Sequence, residues 1–540
     1  MIEICFEGRP VPAHPDESIA AALTRAGIRD LRLTRGGAAR GVFCGMGVCQ
    51  DCLVTVDGIP NRRACMTKVS GPVTVLRQTA LAALPTTALP PRPTQTLAPD
   101  VLVIGAGAAG LNAALAARQR GADVLLVDER PTDGGQYFKQ SAHAGTPPID
   151  AQAAEGQRLV RDCTQTGVTW WRGADVWGAF DPCDFMVRHD GQSHHVQPRK
   201  VILATGAYER PIAVPGWTLP GVMTVGAAQT LLRSYGVVAG KRILLAGHGP
   251  LTLQVACELS AAGALVVAVA ELSGRPGLTA LPALARMALN GPRLLARGYG
   301  LLRRLNAQRV PILYGHSLRA VRADGAALLA EVGPRDAKKT ADNLTFGVDV
   351  VCIGYGFLPA NDLARAVGCT YRRDATGMPR AERDGDGRST VANVFIAGDS
   401  AGMGGAPAAA AEGRLAGLAA AADLGLGDDT LPVTIARRAL RRHRRFQRAL
   451  WSVFSAVPPE TDSASDTIIC RCEELTMADI TPLLGGEAAS LNAIKRINRL
   501  GMGRCQGRYC AAILATRLGS GGQDWSPRPP TRPTCIGDIV

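Results

Sequence analysis

The sequence predicts an α/β protein in which two dinucleotide-binding units lie between a small α+β domain and a small helical domain. Two segments, starting at Val101 and Arg242, read as an apolar strand, a glycine turn and a helix start. Eight of the fifteen cysteines form two sets of four, one near each end of the chain. A chain of 540 residues exceeds what one hydrophobic core holds, so several domains are expected.

The first cysteine set has the spacing of a plant-type [2Fe–2S] site, C-x4-C-x2-C followed by a more distant cysteine. Its members are Cys44, Cys49, Cys52 and Cys65. Gly45 and Gly47 let backbone amides turn toward the cluster sulfides. Structural zinc is the alternative, although zinc sites prefer two C-x2-4-C pairs. The N-terminus lacks the pattern of an export signal, which predicts a reducing, cytoplasmic location and argues against disulfides.

A proline-rich stretch predicts a semi-rigid linker over residues 81–98. The strand after it, Val101–Ile104, leads into Gly105, Gly107 and Gly110, a G-x-G-x-x-G turn that presents helix amides to a pyrophosphate. Asp128 closes the second strand where an adenosine ribose is expected, and Glu129 is the neighbouring alternative.

Two later segments resemble motifs of glutathione-reductase-like FAD enzymes. One contains Thr205 and Gly206, and the other contains Gly398 and Asp399. The resemblance implies FAD rather than NAD at the first turn and places Asp399 against the ribitol chain; a surface carboxylate is the alternative. Gly135 and Gln136 complete the predicted cofactor-binding set.

No cysteine pair follows Gln136, so thiol–disulfide chemistry is not expected. Tyr137 and His143 are close enough in sequence to approach a flavin, with a structural or exposed role as the alternative. The leucine- and arginine-rich segment 272–310 is either a partner-facing insertion or core packing.

The second glycine turn departs from the usual pattern. Gly247 and Gly249 are present, but Thr252 occupies the third glycine position and His248 lies near the phosphate path. Glu271 is the candidate ribose ligand. The unit either binds a nicotinamide nucleotide or serves only as a packing domain.

The second cysteine set combines C-x-C with a distant C-x4-C. Its members are Cys470, Cys472, Cys505 and Cys510. It resembles the helical [2Fe–2S] domain of bacterioferritin-associated ferredoxins and assimilatory nitrite reductases, which usually end in C-x2-C. Zinc or an empty site is the alternative.

Composition excludes two further classes. The apolar runs are strand-length, so no transmembrane segment is expected. The formal net charge of +14 is dispersed except for a basic run over 437–448, which is either a solvated helix face or a docking surface for an acidic partner or membrane. A zinc-containing nucleic-acid or scaffold protein would leave the flavin motifs without a purpose, so nucleic acid is not an expected partner.

Composition and motif positions predict seven segments. They are a ferredoxin-like [2Fe–2S] domain (1–80), the linker (81–98), the first part of an FAD domain (99–235), a second nucleotide-binding-like domain (236–345), the second part of the FAD domain (346–425), a basic helical linker (426–460) and a second [2Fe–2S] domain (461–540).

Over nearly its whole length the chain resembles the α subunits of amine and imino-acid dehydrogenase complexes. These include hydroxyproline and proline dehydrogenases, octopine and nopaline oxidases, hydrogen cyanide synthase and sarcosine oxidase, here with the ferredoxin-like part fused to the N-terminus. The segments 204–211 and 215–221 and the Cys-Arg-Cys-Glu sequence at 470–473 carry the resemblance.

The resemblance implies that a β-type flavoprotein partner oxidises the C–N bond of an amino acid, imino acid or opine. Electrons then enter this chain, in some members through FMN at the subunit interface, and leave to an acceptor that the sequence does not identify. The alternative is an NAD(P)H-dependent reductase in which the Gly247 unit delivers hydride to FAD. No residue of this chain is predicted to be catalytic, and the location is cytoplasmic or peripheral to the inner membrane.

Overall fold

A computed structural model describes residues 1–79, 94–335, 342–374, 377–427, 430–455, 464–484, 490–518, 525–534 and 537. The chain divides into two compact units. The first unit comprises Met1–Leu84, Glu209–Gly356 and Ala449–Trp525, and the second comprises Pro85–Tyr208, Phe357–Arg448 and Ser526–Val540. No helix among the described residues is both long enough and apolar enough to cross a membrane.

The strands are short, as is usual for α/β proteins. In chain order they are β1 (Ile2–Phe6), β2 (Arg9–Ala13), β3 (Arg32–Leu33), β4 (Ala39–Arg40), β5 (Leu53–Val56), β6 (Ile59–Arg63), β7 (Thr74–Arg77), β8 (Gln95–Leu97), β9 (Val101–Ile104), β10 (Val124–Asp128), β11 (Thr169–Arg172), β12 (Asp175–Asp181), β13 (Asp184–His189), β14 (Gln192–Val196), β15 (Lys200–Leu203), β16 (Ala207–Glu209), β17 (Val222–Thr224), β18 (Arg242–Gly247), β19 (Leu265–Glu271), β20 (Ile312–Tyr314), β21 (His316–Asp324), β22 (Ala327–Pro334), β23 (Leu344–Val348), β24 (Val350–Gly354), β25 (Phe357–Pro359), β26 (Tyr371–Arg373), β27 (Pro379–Ala381), β28 (Val394–Ile396), β29 (Ile468–Cys470) and β30 (Leu475–Thr476).

The α-helices alternate with these strands in the central part of the chain. They are α1 (Ile19–Arg25), α2 (Ala108–Arg118), α3 (Ala151–Gln165), α4 (Val225–Tyr235), α5 (Pro250–Ala261), α6 (Leu281–Asn290), α7 (Pro292–Ala307), α8 (Asp362–Ala366), α9 (Ala406–Asp423), α10 (Thr430–Val453), α11 (Met477–Ile480), α12 (Leu491–Asn498) and α13 (Cys510–Arg517).

The first unit holds the N-terminal domain, a parallel sheet and the C-terminal cysteine segment. The N-terminal domain has a five-stranded sheet in the order β2-β1-β7-β5-β6, with β1 and β7 parallel and the other pairs antiparallel. The parallel sheet has the order β17-β24-β18-β19-β20, beside an antiparallel sheet β21-β22-β23. In the C-terminal segment β29 and β30 pair, and α11–α13 follow them.

The second unit is built on a five-stranded parallel sheet in the order β11-β10-β9-β15-β28. Strands β9 and β28 are apolar throughout because both faces of the sheet are covered there, with Val101 and Val103 in one buried cluster and Leu102 and Ile104 in another. The predicted α/β fold class is confirmed. Because the strands are parallel, the turns after β9, β10, β15 and β28 all lie at one edge of the sheet.

Helix α9 packs directly on the backbone of α2. A Cβ on Gly413 would lie 1.9 Å from the carbonyl oxygen of Ala109, and one on Gly417 would lie 2.2 Å from that of Ala113. Such distances admit only glycine, so these two positions set how closely the helices approach. The contact fixes α9 behind the glycine turn that opens α2.

The units divide the chain at places other than the predicted boundaries. Residues 81–93 of the predicted linker 81–98 lie outside the described residues, and Gln95–Leu97 form β8, which pairs with β14. Helix α4, predicted within the segment 99–235, belongs to the first unit. Residues 526–534 belong to the second unit, where the Thr531 amide donates to the Trp177 carbonyl at 2.7 Å.

Candidate functional site

The first glycine turn is shaped by contacts that only glycine permits. Gly105 has a φ of 106°, and a Cβ on Gly110 would lie 1.6 Å from the Gly105 carbonyl oxygen. Gly110 therefore allows the first turn of α2 to pack against the turn itself. The strand–turn–helix unit that the sequence predicts is present, with β9, the turn and α2 in order.

Gly107 has a different environment, although it belongs to the same motif. It is the N-cap residue of α2, and no side chain caps the helix there. A Cβ on Gly107 would meet no described atom within 4 Å. The first amides of α2 thus face open space at the positive end of the helix dipole, an arrangement suited to a phosphate.

Asp128 is tied to this turn. Its carboxylate accepts hydrogen bonds from the amides of Ala106, at 2.5 Å, and Arg130, at 2.7 Å. Burial nonetheless raises the pKa of Asp128 to about 6. Glu129 points elsewhere and lies 3.7 Å from the Arg532 guanidinium. Of the two predicted ribose ligands, Asp128 is the one that the structure brings to the glycine turn.

Four further predicted positions lie at the same sheet edge. Gly135 has a φ of 61°, and a Cβ there would lie 2.6 Å from the Gly107 Cα. The Gln136 carbonyl accepts from Lys139 Nζ at 2.8 Å. The Thr205 hydroxyl donates to the Ala360 carbonyl at 2.5 Å, and the Ala360 amide donates to the Gly206 carbonyl at 2.9 Å. A Cβ on Gly105 would lie 2.4 Å from the Ala204 carbonyl oxygen, so the segment with Thr205 and Gly206 also lies beside the turn. Gly206 has a φ of 68°, which favours glycine at this bend.

Asp399 lies in the turn between β28 and α9. Its Oδ1 accepts from the amides of Gly404 and Gly405, at 2.9 and 3.0 Å, so one carboxylate oxygen holds the start of α9. Burial raises the pKa of Asp399. The preceding Gly398 has a φ of 76°, and a Cβ there would lie 2.8 Å from the Ala109 Cβ on α2. The half-buried position argues against a surface carboxylate.

Sequence reasoning missed a buried acidic residue behind this turn. Glu412 accepts from the Gly398 amide at 3.1 Å and pairs with Arg383 at 2.6 Å and Arg444 at 2.8 Å. Its position on α9 gave no signal because it stands in a run of alanines. Two arginines of the basic run therefore form ion pairs within the second unit. Arg444 pairs with Glu412, and Arg437 pairs with Asp386 at 2.8 Å.

Several side chains pack against the second glycine turn, which belongs to the first unit. Glu271 Oε2 accepts from the Gly249 amide at 3.0 Å, and Oε1 accepts from the Ser273 amide at 2.9 Å. His248 Nδ1 lies 3.3 Å from Glu271 Oε1. A Cβ on Gly249 would lie 3.5 Å from the Trp451 ring, and the His248 ring contacts Trp451 and Phe454. The segment that follows the basic run therefore covers the turn.

The N-terminal cysteine set is buried, with Cys44, Cys49 and Cys52 in the loop between β4 and β5 and Cys65 just after β6, and its thiols meet in two pairs. Cys44 is hydrogen-bonded to Cys49, and Cys65 to Cys52. Burial raises the pKa of Cys44, but the Cys49 thiol and backbone amides outweigh burial and lower it to about 6. The loop rests on α4, since a Cβ on Gly45 would lie 2.9 Å from the Ala227 Cα.

The C-terminal set also forms two pairs. The hydrogen bond from the Cys510 thiol lowers the pKa of Cys470 to about 6, and the hydrogen bond from Cys472 lowers the pKa of Cys505. A Cβ on Gly503 would lie 2.2 Å from the Cys472 Cβ, which explains the glycine before Arg504. The C-x4-C spacing therefore still delivers one sulfur to each member of the C-x-C pair.

Two pairs of thiols match a cluster of two irons, each of which needs two cysteine sulfurs. Structural zinc instead takes all four ligands around one ion, so thiols that meet two by two are the arrangement that two irons require.

The remaining candidate residues lie in mixed surroundings. His143 is half-buried, and the Tyr137 ring packs edge-to-face on Phe138 with centroids 5.0 Å apart. In the segment 272–310, Met287 and Leu305 are buried, whereas Leu278 and Leu289 are 84% and 82% exposed. That segment thus combines core packing with an exposed apolar face.

Comparison with known proteins identifies the family to which the chain belongs. Residues 99–413 match the family model of pyridine nucleotide-disulphide oxidoreductases, and residues 1–80 match that of a 2Fe-2S iron-sulfur cluster binding domain. The opine oxidase A polypeptide of Agrobacterium tumefaciens (strain Ach5) is 33% identical over 467 residues, 82% of this chain and 91% of that protein. The hydrogen cyanide synthase subunit HcnB of Pseudomonas aeruginosa is 32% identical over 433 residues, 77% of this chain and 92% of that protein.

The crystal structure of L-proline dehydrogenase from P. horikoshii matches 100% of this chain and 97% of that chain with a TM-score of 0.72 and 20% identity. This likeness shows a shared fold. The resemblance predicted from the motifs is confirmed, as are an FAD-binding oxidoreductase domain and a [2Fe–2S] domain. The chain belongs to the pyridine nucleotide-disulphide oxidoreductase family, in the group that includes the opine oxidase A polypeptides.

Proposed function

We propose that this chain is the FAD and iron–sulfur electron-transfer subunit of a heteromeric dehydrogenase or oxidase. The complex oxidises the C–N bond of an amino acid, imino acid or opine, and a β-type flavoprotein subunit carries out that oxidation. The observation that carries the proposal is the combination, in one chain, of a flavin-type glycine turn with two paired-thiol sets. Such a chain can accept two electrons and pass them on singly.

The sheet edge of the second unit would hold the FAD. FAD supplies two-electron chemistry when bound. Gly105, Gly107 and Gly110 bring the backbone and the α2 amides to its pyrophosphate, and Asp128 accepts from its ribose. Asp399 keeps its second carboxylate oxygen for the ribitol chain, while the first holds α9. The other residues of this site are Gly135, Gln136, Thr205, Gly206 and Gly398, whereas Glu129 lies beside Arg532.

The titration of Asp128 gives this site a pH dependence. Its pKa is raised to about 6 without cofactor, and a ribose hydroxyl that donates to the carboxylate favours the charged form. FAD binding then releases a proton below that pH. We expect FAD affinity to fall by up to about tenfold per pH unit as the pH falls below 6. FAD titration of the apoprotein from pH 5 to 8 measures this, and Asp128→Asn should flatten the dependence; an unchanged slope in that variant would assign the effect to another group.

Both cysteine sets hold [2Fe–2S] clusters. Cys44 and Cys49 bind one iron and Cys52 and Cys65 the other, while Cys470 pairs with Cys510 and Cys472 with Cys505. A [2Fe–2S] cluster bound by either set would supply one-electron chemistry. Backbone amides already point at the sulfurs, as the Cys49 amide donates to Cys44 Sγ at 3.4 Å.

Thiol–disulfide chemistry is not part of the proposal, despite the family name. Outside the two sets, the described cysteines for which a shift is resolved have pKa values raised by burial, that of Cys163 to about 12. Such thiols are poor nucleophiles. The Trp451 ring over Gly249 also disfavours NAD(P)H as the electron donor, which is the alternative function.

Substitution of Trp451 tests whether its ring prevents NADH from binding at the second glycine turn. Because its ring lies over Gly249, we expect the wild-type chain to show no measurable NADH binding and Trp451→Ala to gain weak binding, in the millimolar range. Leu431→Ala, on the exposed face of the same helix, is the matched control and should behave as wild type. Equal NADH affinity in the wild type and Trp451→Ala would show that the ring does not cover a nucleotide site.

A partner subunit is supported by the relatives, which are themselves subunits of oxidases and of hydrogen cyanide synthase. None of the candidate residues forms a nucleophile–base pair or a carboxylate dyad suited to amine oxidation. We place substrate oxidation on the β-type subunit, with FMN at the interface as a further electron carrier, and the complex in the cytoplasm or peripheral to the inner membrane.

The test is dye-linked turnover of proline, hydroxyproline, octopine, nopaline, sarcosine and glycine. The chain alone should be inactive with all of them, and co-expression with a β-type subunit should give activity with one class. Turnover of an amine by the chain alone would contradict the proposal.

A further inference from the structure

The two cysteine loops of the first unit meet through residues that are next to cysteines in sequence. Asp51 stands between Cys49 and Cys52, and Arg471 stands between Cys470 and Cys472. Arg471 Nε donates to Asp51 Oδ2 at 2.6 Å, and both side chains are buried. One hydrogen bond therefore completes a continuous route of bonded atoms from one loop to the other.

An aromatic contact also joins the two cysteine loops through residues that are next to cysteines in sequence. Phe43 precedes Cys44 and Tyr509 precedes Cys510, and their rings pack edge-to-face with centroids 5.6 Å apart. The Arg471 guanidinium lies 3.9 Å from the Phe43 ring centroid and donates to the Trp217 carbonyl at 2.9 Å. The Arg471 side chain is therefore held in place by Asp51, Phe43 and Trp217 together.

A buried ion pair is a costly way to join two loops. Removing both charges from water costs several kcal/mol, and apolar side chains of similar volume often stabilise a fold as well. Asp51 is also held by Arg32, whose Nη2 lies 2.7 Å from Asp51 Oδ1. A cation held between two sites that each gain an electron favours the reduction of both, because the interaction between charges strengthens in a low-dielectric interior.

We propose that Asp51 and Arg471 are positioning residues that join the two clusters into one electron relay and that Arg471 raises the reduction potentials of both. This inference rests on the proposed function, since it requires both sets to hold clusters. In the transfer step one electron leaves the reduced cluster and enters the oxidised one. The donor is oxidised, the acceptor is reduced, and no bond or proton changes place.

The experiment is a redox titration of the full-length, cluster-loaded chain, followed by electron paramagnetic resonance of each cluster. Arg471→Gln should disfavour reduction of both clusters by about tenfold, which is about 59 mV for a one-electron couple. Arg471→Lys keeps the charge and should stay close to wild type. Arg499→Gln, which breaks the exposed Arg499–Glu473 pair in the same domain, should shift neither cluster.

A shift confined to the C-terminal cluster, or none, would overturn the inference. Iron, sulfide and FAD contents are measured for every variant. If Arg471→Gln fails to load, Asp51→Asn decides, because removing the negative charge should favour reduction of both clusters and an unchanged N-terminal potential would overturn the inference. A wild-type chain with one cluster signal would overturn the proposed second cluster itself, before any variant is compared.

Discussion

Gly107→Val should release FAD from this chain while leaving the apoprotein folded. Its Cβ meets no described atom within 4 Å, so the valine fits the protein and enters only the space next to the uncapped start of α2. Overpacking of a filled site costs about 1–3 kcal/mol, which is roughly a 5- to 150-fold loss of FAD affinity. The fold itself should lose at most about 1 kcal/mol from the changed N-cap. Flavin content and FAD titration of the apoprotein measure the effect.

Gly385→Val is the matched control. A Cβ at Gly385 also meets no described atom within 4 Å, and this loop residue of the same unit is not part of the glycine turn. It should retain FAD. Gly110→Val should instead prevent folding of the unit, because its Cβ would overlap the Gly105 carbonyl. Full flavin retention by a folded Gly107→Val protein would show that the pyrophosphate does not pass the start of α2.

Cys505→Ser should remove one of two [2Fe–2S] clusters and leave the other in place. Because each iron needs two cysteine sulfurs, iron content should fall from about four to about two atoms per chain. Cys49→Ser should give the same loss from the N-terminal set, with a different cluster signal surviving. FAD content should change in neither variant, since the flavin site lies in the second unit and the cysteines in the first.

The control for both is Cys183→Ser, a half-buried cysteine outside the sets. It should keep all the iron. Iron and acid-labile sulfide analysis with electron paramagnetic resonance separates the outcomes. The proposal of a second cluster would be contradicted if the C-terminal set contained zinc and no sulfide, both in the wild type and in Cys49→Ser. Structural zinc would then be the correct interpretation of that set.

Much of the flavin site follows from the sequence because it depends on local rules. Gly105 and Gly110 are required by a positive φ and by a carbonyl at contact distance, and both constraints act within six residues of chain. The end of a strand likewise predicts where Asp128 lies, since the register of parallel strands brings their carboxyl ends to one edge.

The contacts between distant segments were not predictable in this way. Trp451 over Gly249, Glu412 behind Gly398 and Arg471 on Asp51 each join residues whose separation in sequence carries no periodic signal. For the same reason, the sequence left open whether the second glycine turn binds a nucleotide. The cysteine spacing predicted each set, whereas the pairing between Cys470 and Cys510 depends on how the C-terminal helices fold back.

The most direct test of the central claim is an anaerobic titration of the purified chain, with flavin and cluster absorbance recorded. We expect no bleaching with NADH or NADPH, and bleaching of both flavin and clusters by an amine substrate only when the β-type subunit is present. Rapid bleaching by a nicotinamide nucleotide in the absence of a partner would contradict the account and make the chain a reductase.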